Sequence, residues 1–366
     1  MAPKKLLVIS NGIGEDSVGA ELVRRLPSSI VAHAYPTLGS GKYYEGVCEI
    51  VGPRATLASA GSRVAKGTIA KDVRGGLLAT VPPGLAFMRS VRNAYDRVLV
   101  IGDFIGIGGC FLTGIRGVIY VDVYKTGYGR PYLAAERWAI GRTCRTVFCR
   151  HSSLAQSLRQ HGIDARAIGN VMMDTIPRSG FDAKALRTRQ LAVTLLPGSR
   201  DQTVANFALQ VEAILRLPEE LRPDVFVALA AGIDPIELAR HAGLGWDGTK
   251  FTGDLTVHAA QNALGDLVEN SDVVLSQAGT ATIQSLGLGR PVITFVRDGD
   301  RMKRFTDENR LFGDSRLLVK ADAGELSEML AGLLRDDADR VRRGAIGKER
   351  IGGPGAIDEI VAELVS

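Results

Sequence analysis

The stretch Leu191-Ala192-Val193-Thr194-Leu195-Leu196-Pro197-Gly198-Ser199-Arg200 decides the fold. Its first six residues are almost wholly apolar, as in a strand covered on both faces. Pro197-Gly198 then turns the chain, and Asp201–Leu217 carries apolar residues at helical spacing. The same strand, turn and helix recur in both directions. Before it, Lys5–Ser10, Ile30–Tyr35, Val47–Val51, Arg97–Ile101, Gly117–Val123, Thr146–Cys149 and Ala165–Ile168 read as strands. After it come Asp224–Ala230, Asp272–Leu275, Pro291–Phe295 and Leu317–Val319. Helical patterns cover Glu15–Leu26, Val257–Glu269, Thr280–Leu288 and Asp322–Leu334. Strands alternating with helices predict an α/β protein with doubly wound parallel sheets.

The chain has 366 residues, enough for two domains with separate cores. Asp174–Gln190 holds Pro177, Gly180 and several charges but no apolar pattern, so the boundary is placed there. Residues 1–175 and 190–350 are then two α/β halves expected to face a cleft, and 351–366 form a helix that can pack back on the first. Hydrophobic residues at 45% and charged residues at 23% exclude a mainly disordered chain. No apolar run approaches the roughly 20 residues of a membrane span. The start, Met-Ala-Pro-Lys-Lys, runs directly into Leu6-Leu7-Val8-Ile9 without a separate signal segment, so a cytoplasmic location is expected. Cys48, Cys110, Cys144 and Cys149 lack zinc-ligand spacing with His or acidic neighbours and read as reduced thiols. The five histidines form no metal or triad pattern, and no Gly-x-Ser-x-Gly elbow is present.

Lys and Arg number 45 against 40 Asp and Glu, a net charge of +5. The excess gathers between Arg54 and Arg97, where Arg63, Lys66, Lys71, Arg74, Arg89 and Arg92 also lie, against Asp72 and Asp96 alone. Inside it, Gly75–Met88 is uncharged and includes Leu77, Leu78, Val81, Leu85 and Phe87. Basic flanks around an apolar patch suit an anionic membrane surface. A packed helix with solvated flanks fits the same residues. Sparse aromatics and the absence of a nucleic-acid module signature argue against a nucleic-acid partner.

Four motifs can carry chemistry. Gly198-Ser199-Arg200 exposes backbone N–H groups at a helix start, together with a hydroxyl and a forked cation, and suits phosphate. Ala278-Gly279-Thr280-Ala281, followed by Gln284 one turn on, is a second such turn. Ligands of open α/β sheets bind at that carboxyl edge. Asn11-Gly12-Ile13-Gly14-Glu15-Asp16-Ser17 lacks the third glycine of a dinucleotide fingerprint, and its acids would repel a pyrophosphate. It reads as a cleft loop for a hydroxylated substrate, or as an acidic first turn of a helix. Asp103 ends the apolar strand Val98-Leu99-Val100-Ile101-Gly102, placed either as a general base or as an N-cap.

In this order, Ser10–Asp16, Val100–Asp103, Gly169-Asn170-Val171-Met172-Met173-Asp174, Leu196–Arg200 and Ala278–Gln284 resemble the lipid-A-disaccharide synthase-related family of GT-B glycosyltransferases. The resemblance implies two Rossmann-like domains, with a nucleotide sugar, UDP-linked, held by the second. It implies inverting transfer to a lipid acceptor at the inner face of the cytoplasmic membrane, with no metal and no cofactor. Asp103 matches the catalytic base, with Glu15 as a secondary acceptor-side candidate. Gly198, Ser199 and Arg200 would hold the diphosphate; Ala278, Gly279, Thr280, Ala281 and Gln284 would line the donor pocket. Asp307-Glu308-Asn309 is read as the start of a further helix, where Asn309 would contact the donor. Asn11, Gly12, Gly14 and Asn170 would lie on the acceptor side. Gln284 stands where the family usually has Glu, and Ile13 where relatives often have His. A non-hydrolysing UDP-sugar epimerase stays in view as an alternative, and these departures add a second, a GT-B-like binding protein without catalysis.

Overall fold

The computed structural model describes residues 3–54, 77–125, 131–199 and 202–366. The chain divides into two compact units. One is Met1–Thr175 with Gly352–Ser366, and the other is Ile176–Ile351.

The first unit runs β1 (Lys4–Ser10), α1 (Ile13–Arg24), β2 (Ile30–Pro36), β3 (Glu49–Ile50), α2 (Leu77–Val91), β4 (Arg97–Gly102), α3 (Phe104–Thr113), β5 (Val118–Asp122), α4 (Ala134–Thr143), β6 (Cys144–Cys149), α5 (Ser152–Arg159), β7 (Ala165–Arg166) and α6 (Val171–Asp174). Among the described residues its sheet has seven strands in the order β3-β2-β1-β4-β5-β6-β7, all paired in parallel. Successive side chains point to opposite faces, so an unbroken apolar strand fills two cores. Leu7, Ile9, Val98, Val100 and Tyr120 pack with Met88, Ile107, Cys110 and Ile140 of α2, α3 and α4. Leu6, Val8, Leu99, Ile101 and Val121 pack on the other face with Val18 and Leu22 of α1.

That second face is completed from far along the sequence. Ile357, Ile360 and Leu364 of the helix Ala356–Val365 are fully buried in it. Asp174 fixes the return by accepting the backbone N–H of Gly355 (2.6 Å) and of Ile357 (3.0 Å).

The second unit runs β8 (Ala192–Leu196), α7 (Thr203–Leu215), β9 (Asp224–Leu229), α8 (Pro235–Ala242), β10 (Gly245–Trp246), β11 (Lys250–Thr252), β12 (Val257–Gln261), α9 (Leu264–Glu269), β13 (Val273–Ser276), α10 (Thr280–Gly287), β14 (Val292–Val296), α11 (Met302–Phe312), β15 (Arg316–Lys320), α12 (Ala323–Arg335) and α13 (Asp337–Ile351). The helix Ala356–Val365 is then α14. The described strand order is β10-β11-β12-β9-β8-β13-β14-β15. Both sheets are α/β and doubly wound. Strand order reverses at β1/β4 in one and at β8/β13 in the other.

Two expectations change. Val257–Glu269 is not one helix: Val257–Gln261 is a strand, parallel to β9 and antiparallel to β11, and only Leu264–Glu269 is helical. The ribbon β10–β11–β12 is therefore antiparallel at the sheet edge. Residues 176–190 are packed onto the second unit. Pro177 O accepts from Gly265 N (2.9 Å), and Ala183 is buried against Ala192, Phe226 and Leu267. Of the basic segment 54–97, residues 55–76 lie outside the described residues. No helix among the described residues is long and apolar enough to cross a membrane.

Candidate functional site

In a doubly wound sheet, two neighbouring strands whose crossovers leave in opposite directions open a crevice at their carboxyl ends. The motifs singled out above fall at these two switch points, one in each unit.

In the first unit, Ser10 ends β1 directly beside Ile101 of β4. Asn11 follows, and its Nδ2 donates to Asp103 Oδ1 at 2.7 Å. Asp103 is the N-cap of α3, and the same Oδ1 also accepts the Ile105 backbone N–H at 2.9 Å. The N-cap reading of this carboxylate is what the geometry shows, and the cap fixes it at the strand end. Gly102 has φ +142, and a Cβ there would collide with Asn11 Oδ1. Gly102 therefore lets the Asn11 side chain lie against the backbone and reach Asp103.

Gly12 is the N-cap of α1, and the Glu15 carboxylate folds back over it, so that a side chain there would displace Glu15. Gly14 O accepts the Ser17 hydroxyl (2.8 Å). Asn11, Gly12, Gly14, Glu15 and Asp103 are thus together at the β1/β4 edge. Beneath them Asp16 is buried, accepting the Ser10 hydroxyl at 2.6 Å, while Tyr44 donates to Ser10 Oγ at 3.0 Å. Burial pushes the Asp16 carboxyl up to about 6, against the lowering effect of Ser10. Asn170 lies in another setting. It is buried, caps α6 through Met172 N (3.1 Å) and donates its own N–H to Gly353 O (2.9 Å).

The sequence reading missed a second acid at this edge. Asp122 ends β5 opposite Gly102 and is fully buried. It accepts the backbone N–H of Tyr124 and of Lys125, both at 2.8 Å, and the Tyr132 hydroxyl. The Tyr120 hydroxyl lies 2.9 Å from that of Tyr132 and donates toward Gly102 O at 3.3 Å. A chain of contacts therefore runs from Asp122 to the residue before Asp103. Its signal was available, because Asp122 ends an apolar strand just as Asp103 does.

Burial raises the Asp122 carboxyl from 3.8 to about 6. The folded chain then keeps this proton over a range in which the unfolded chain has released it. Stability from this group is full below about 3.8 and is lost as pH rises through about 6, by at most about 3 kcal/mol. Asp122→Asn keeps an acceptor but removes the titration. Urea midpoints at pH 4 and pH 6.5 should differ between wild type and variant by that slope; parallel profiles would contradict it.

In the second unit, β8 leads into Pro197-Gly198-Ser199. Gly198 has φ +101, and a Cβ on it would lie 3.6 Å from Gln277 O. Gln277 N donates to Leu196 O (2.8 Å), so the two glycine turns, with Gly198 and Gly279 81 positions apart in sequence, are in contact at the β8/β13 switch point. Asn206 of α7 donates to Pro197 O (2.7 Å) and pins the first turn. Ser276 Oγ, 2.6 Å from Thr282 Oγ1, accepts Ala278 N (3.2 Å) and shapes the second. Gly279 and Thr280 are exposed where α10 begins, Ala281 is half-buried, and Gln284 is buried one turn deeper. Ser199 is exposed beside these turns; Arg200 lies outside the described residues.

Asn309 departs from its expected place. Residues 307–309 do not open a helix, because α11 begins at Met302 and they sit in its second half. Asn309 is half-buried, and its Oδ1 accepts from Nε of the buried Arg316 at 2.6 Å. Among the described residues, no three His, Cys, Asp or Glu gather as a metal site.

Two doubly wound units of this topology define the GT-B class, shared by glycosyltransferases and UDP-sugar epimerases. The chain is similar to the lipid-A-disaccharide synthase of Alkalilimnicola ehrlichii, 26% identical over 182 residues, covering 45% of this chain and 46% of that protein. The match thus spans less than half of the synthase. Among solved structures it is similar to the UDP-GlcNAc 2-epimerase of Neisseria meningitidis bound to UDP-GlcNAc (TM-score 0.59, 14% identity, 99% of both chains). It is also similar to the glycosyltransferase SnogD of Streptomyces nogalater (TM-score 0.54, 18% identity, 99% of both chains). No protein-family profile matches the chain.

Proposed function

We propose that the chain is an inverting, metal-independent glycosyltransferase that moves a sugar from a UDP-linked donor to a lipid acceptor at the inner face of the cytoplasmic membrane. The observation that carries the donor half is the contact between the Gly198 and Gln277 turns at the β8/β13 switch point, where α7 and α10 begin nearby. Backbone N–H groups and helix dipoles there favour a diphosphate. Gly198, Ser199 and Arg200 hold it, and Ala278, Gly279, Thr280 and Ala281 line the sugar nucleotide. Gln284 is the ribose-side residue.

The acceptor half rests on Asp103, held through Oδ1 by Asn11 and by Ile105 N. Its carboxylate takes the proton of the acceptor hydroxyl as that oxygen attacks the anomeric carbon. The bond from carbon to the diphosphate oxygen breaks, and the leaving UDP carries away the electron pair. Its growing charge is met by the helix N-termini and Arg200. Glu15, Gly12 and Gly14 border the acceptor. The resemblance to the lipid-A-disaccharide synthase family at Ser10–Asp16 and Val100–Asp103 supports this reading of the first unit.

Gly198→Val tests the donor seat. A β-branched residue at φ +101 is strained and closes the backbone to a phosphate. UDP affinity measured by calorimetry should fall at least tenfold, about 1.4 kcal/mol; unchanged affinity would remove the diphosphate from this turn.

The epimerase reading is favoured by one observation, the full-length similarity to UDP-GlcNAc 2-epimerase. It needs no acceptor, so incubation with UDP-N-acetylglucosamine alone, followed by proton NMR, separates the two. Turnover in either assay excludes a binding protein without catalysis.

A further inference from the structure

Helices α2, α3 and α4 cover one face of the first sheet, yet their outer surface is not that of a solvated layer. Ile105 and Leu112, seven residues apart and so on one stripe of α3, are 63% and 64% exposed. Trp138 of α4 is 54% exposed, and its ring sits 5.0 Å from Phe111 of α3, edge to face. Leu133, before α4, and Val81 of α2 are exposed as well. One exposed leucine is ordinary. A tryptophan, two leucines, an isoleucine and a valine on adjoining helices of one layer are not.

The exposed charge around them is mainly basic. Arg142 lies over the Trp138 ring at 5.4 Å and Arg116 over Phe111 at 5.4 Å. Arg89 and Arg92 are exposed at the end of α2, which packs on α3 through Met88 and Gly109. The one carboxylate in the three helices is Glu136. It is drawn inward, to Lys125 Nζ at 3.0 Å and the Leu133 N–H at 2.7 Å. The layer thus presents an apolar centre, an amphipathic tryptophan and four arginines.

We infer that this α2–α3–α4 layer is a docking surface for an anionic phospholipid bilayer. The arginine rim selects negative headgroups, and Trp138, Leu112 and Ile105 enter the boundary between headgroups and acyl chains. The inference stands on this surface alone. It goes beyond the sugar-transfer reading and gives that reading a geometry. Ile105, whose N–H holds Asp103, is itself part of the apolar stripe, so a hydroxyl on a bilayer headgroup would meet the carboxylate at the rim. It also extends membrane contact from the Arg54–Arg97 segment, to which α2 belongs, to α3 and α4.

The chain has two tryptophans, and Trp246→Phe leaves Trp138 as the reporter. With vesicles of phosphatidylcholine and phosphatidylglycerol (3:1), Trp138 emission should shift to the blue and become protected from iodide. Phosphatidylcholine vesicles should produce neither effect. Leu112→Ser with Trp138→Ser should lower co-sedimentation at least tenfold in the full chain. Arg116→Gln with Arg142→Gln should lower it at low salt. All four positions are exposed, and an unchanged melting temperature and UDP affinity certify the fold of each variant. Vesicle binding with Trp138 still quenched by iodide would place the contact elsewhere. Equal binding to neutral vesicles would remove the arginine rim. A dimer by light scattering that Trp138→Ser dissolves would make this a face between copies of the chain. Any of these overturns the inference, while UDP binding and turnover report separately on sugar transfer.

Discussion

Asp103→Asn should reduce sugar transfer by roughly 10²–10⁴-fold, the contribution usual for a general base. The substitution is chosen because the carboxylate has two duties. Asp103 Oδ1 caps α3 by accepting Ile105 N and also receives Asn11 Nδ2. An amide oxygen can accept both bonds, so the helix start survives while the proton acceptor is lost. UDP affinity should stay within about twofold, since the proposed diphosphate seat, around Gly198, is in the other unit. Asp103→Ala would add a capping loss of about 1 kcal/mol to the chemical one. An Asp103→Asn chain that is folded, binds UDP and retains full turnover would dismiss Asp103 as the base. If turnover falls together with UDP affinity, the residue acts through the fold instead.

Arg316→Ala should destabilise the second unit by about 3 kcal/mol in urea unfolding. Arg316 is 4% exposed. Its guanidinium binds Glu308 Oε2 (2.8 Å), Asn309 Oδ1 (2.6 Å) and Phe305 O (2.9 Å), and lies 4.6 Å from the Phe312 ring centroid. All four partners belong to α11, so one β15 side chain fastens the whole helix. Truncation leaves three acceptors without their donor in a confined space. Glu308 keeps Arg304 at 2.8 Å and part of its solvent, which holds the loss at the lower end for a buried pair. Asn309→Ala should cost about 1 kcal/mol and leave UDP affinity unchanged. A loss of UDP binding there would return Asn309 to the donor.

The strands around both switch points were legible because they are buried on two faces. Leu7 and Ile9 enter one core and Leu6 and Val8 the other, so no polar alternation interrupts the run. Val257–Gln261 was not legible. Val-His-Ala-Ala-Gln has one β-branched residue and three good helix formers, and it becomes a strand only through β9 and β11 beside it. The glycine turns could be read because the chain must reverse there, and the positive φ at Gly102 and Gly198 is that requirement met. What joins the turns is long-range. Asn11 and Asp103 are 92 residues apart, and nothing local announces their bond. The helix start was misplaced at Asp307 because α11 opens at Met302, directly after the charged run Arg297–Arg301, and the partner of Asn309, Arg316, lies beyond the other end of that helix at Phe312.

The placement of α14 bears on the order in which the chain assembles as it is made. Ile357, Ile360 and Leu364 complete the apolar face formed by Leu6, Val8 and Ile101. The ribosome therefore releases the second unit as a continuous piece, while the opening strands wait with one side only partly covered, by α1. The segment made first is finished last. Chaperone dependence during synthesis should accordingly be concentrated on the earliest-made strands.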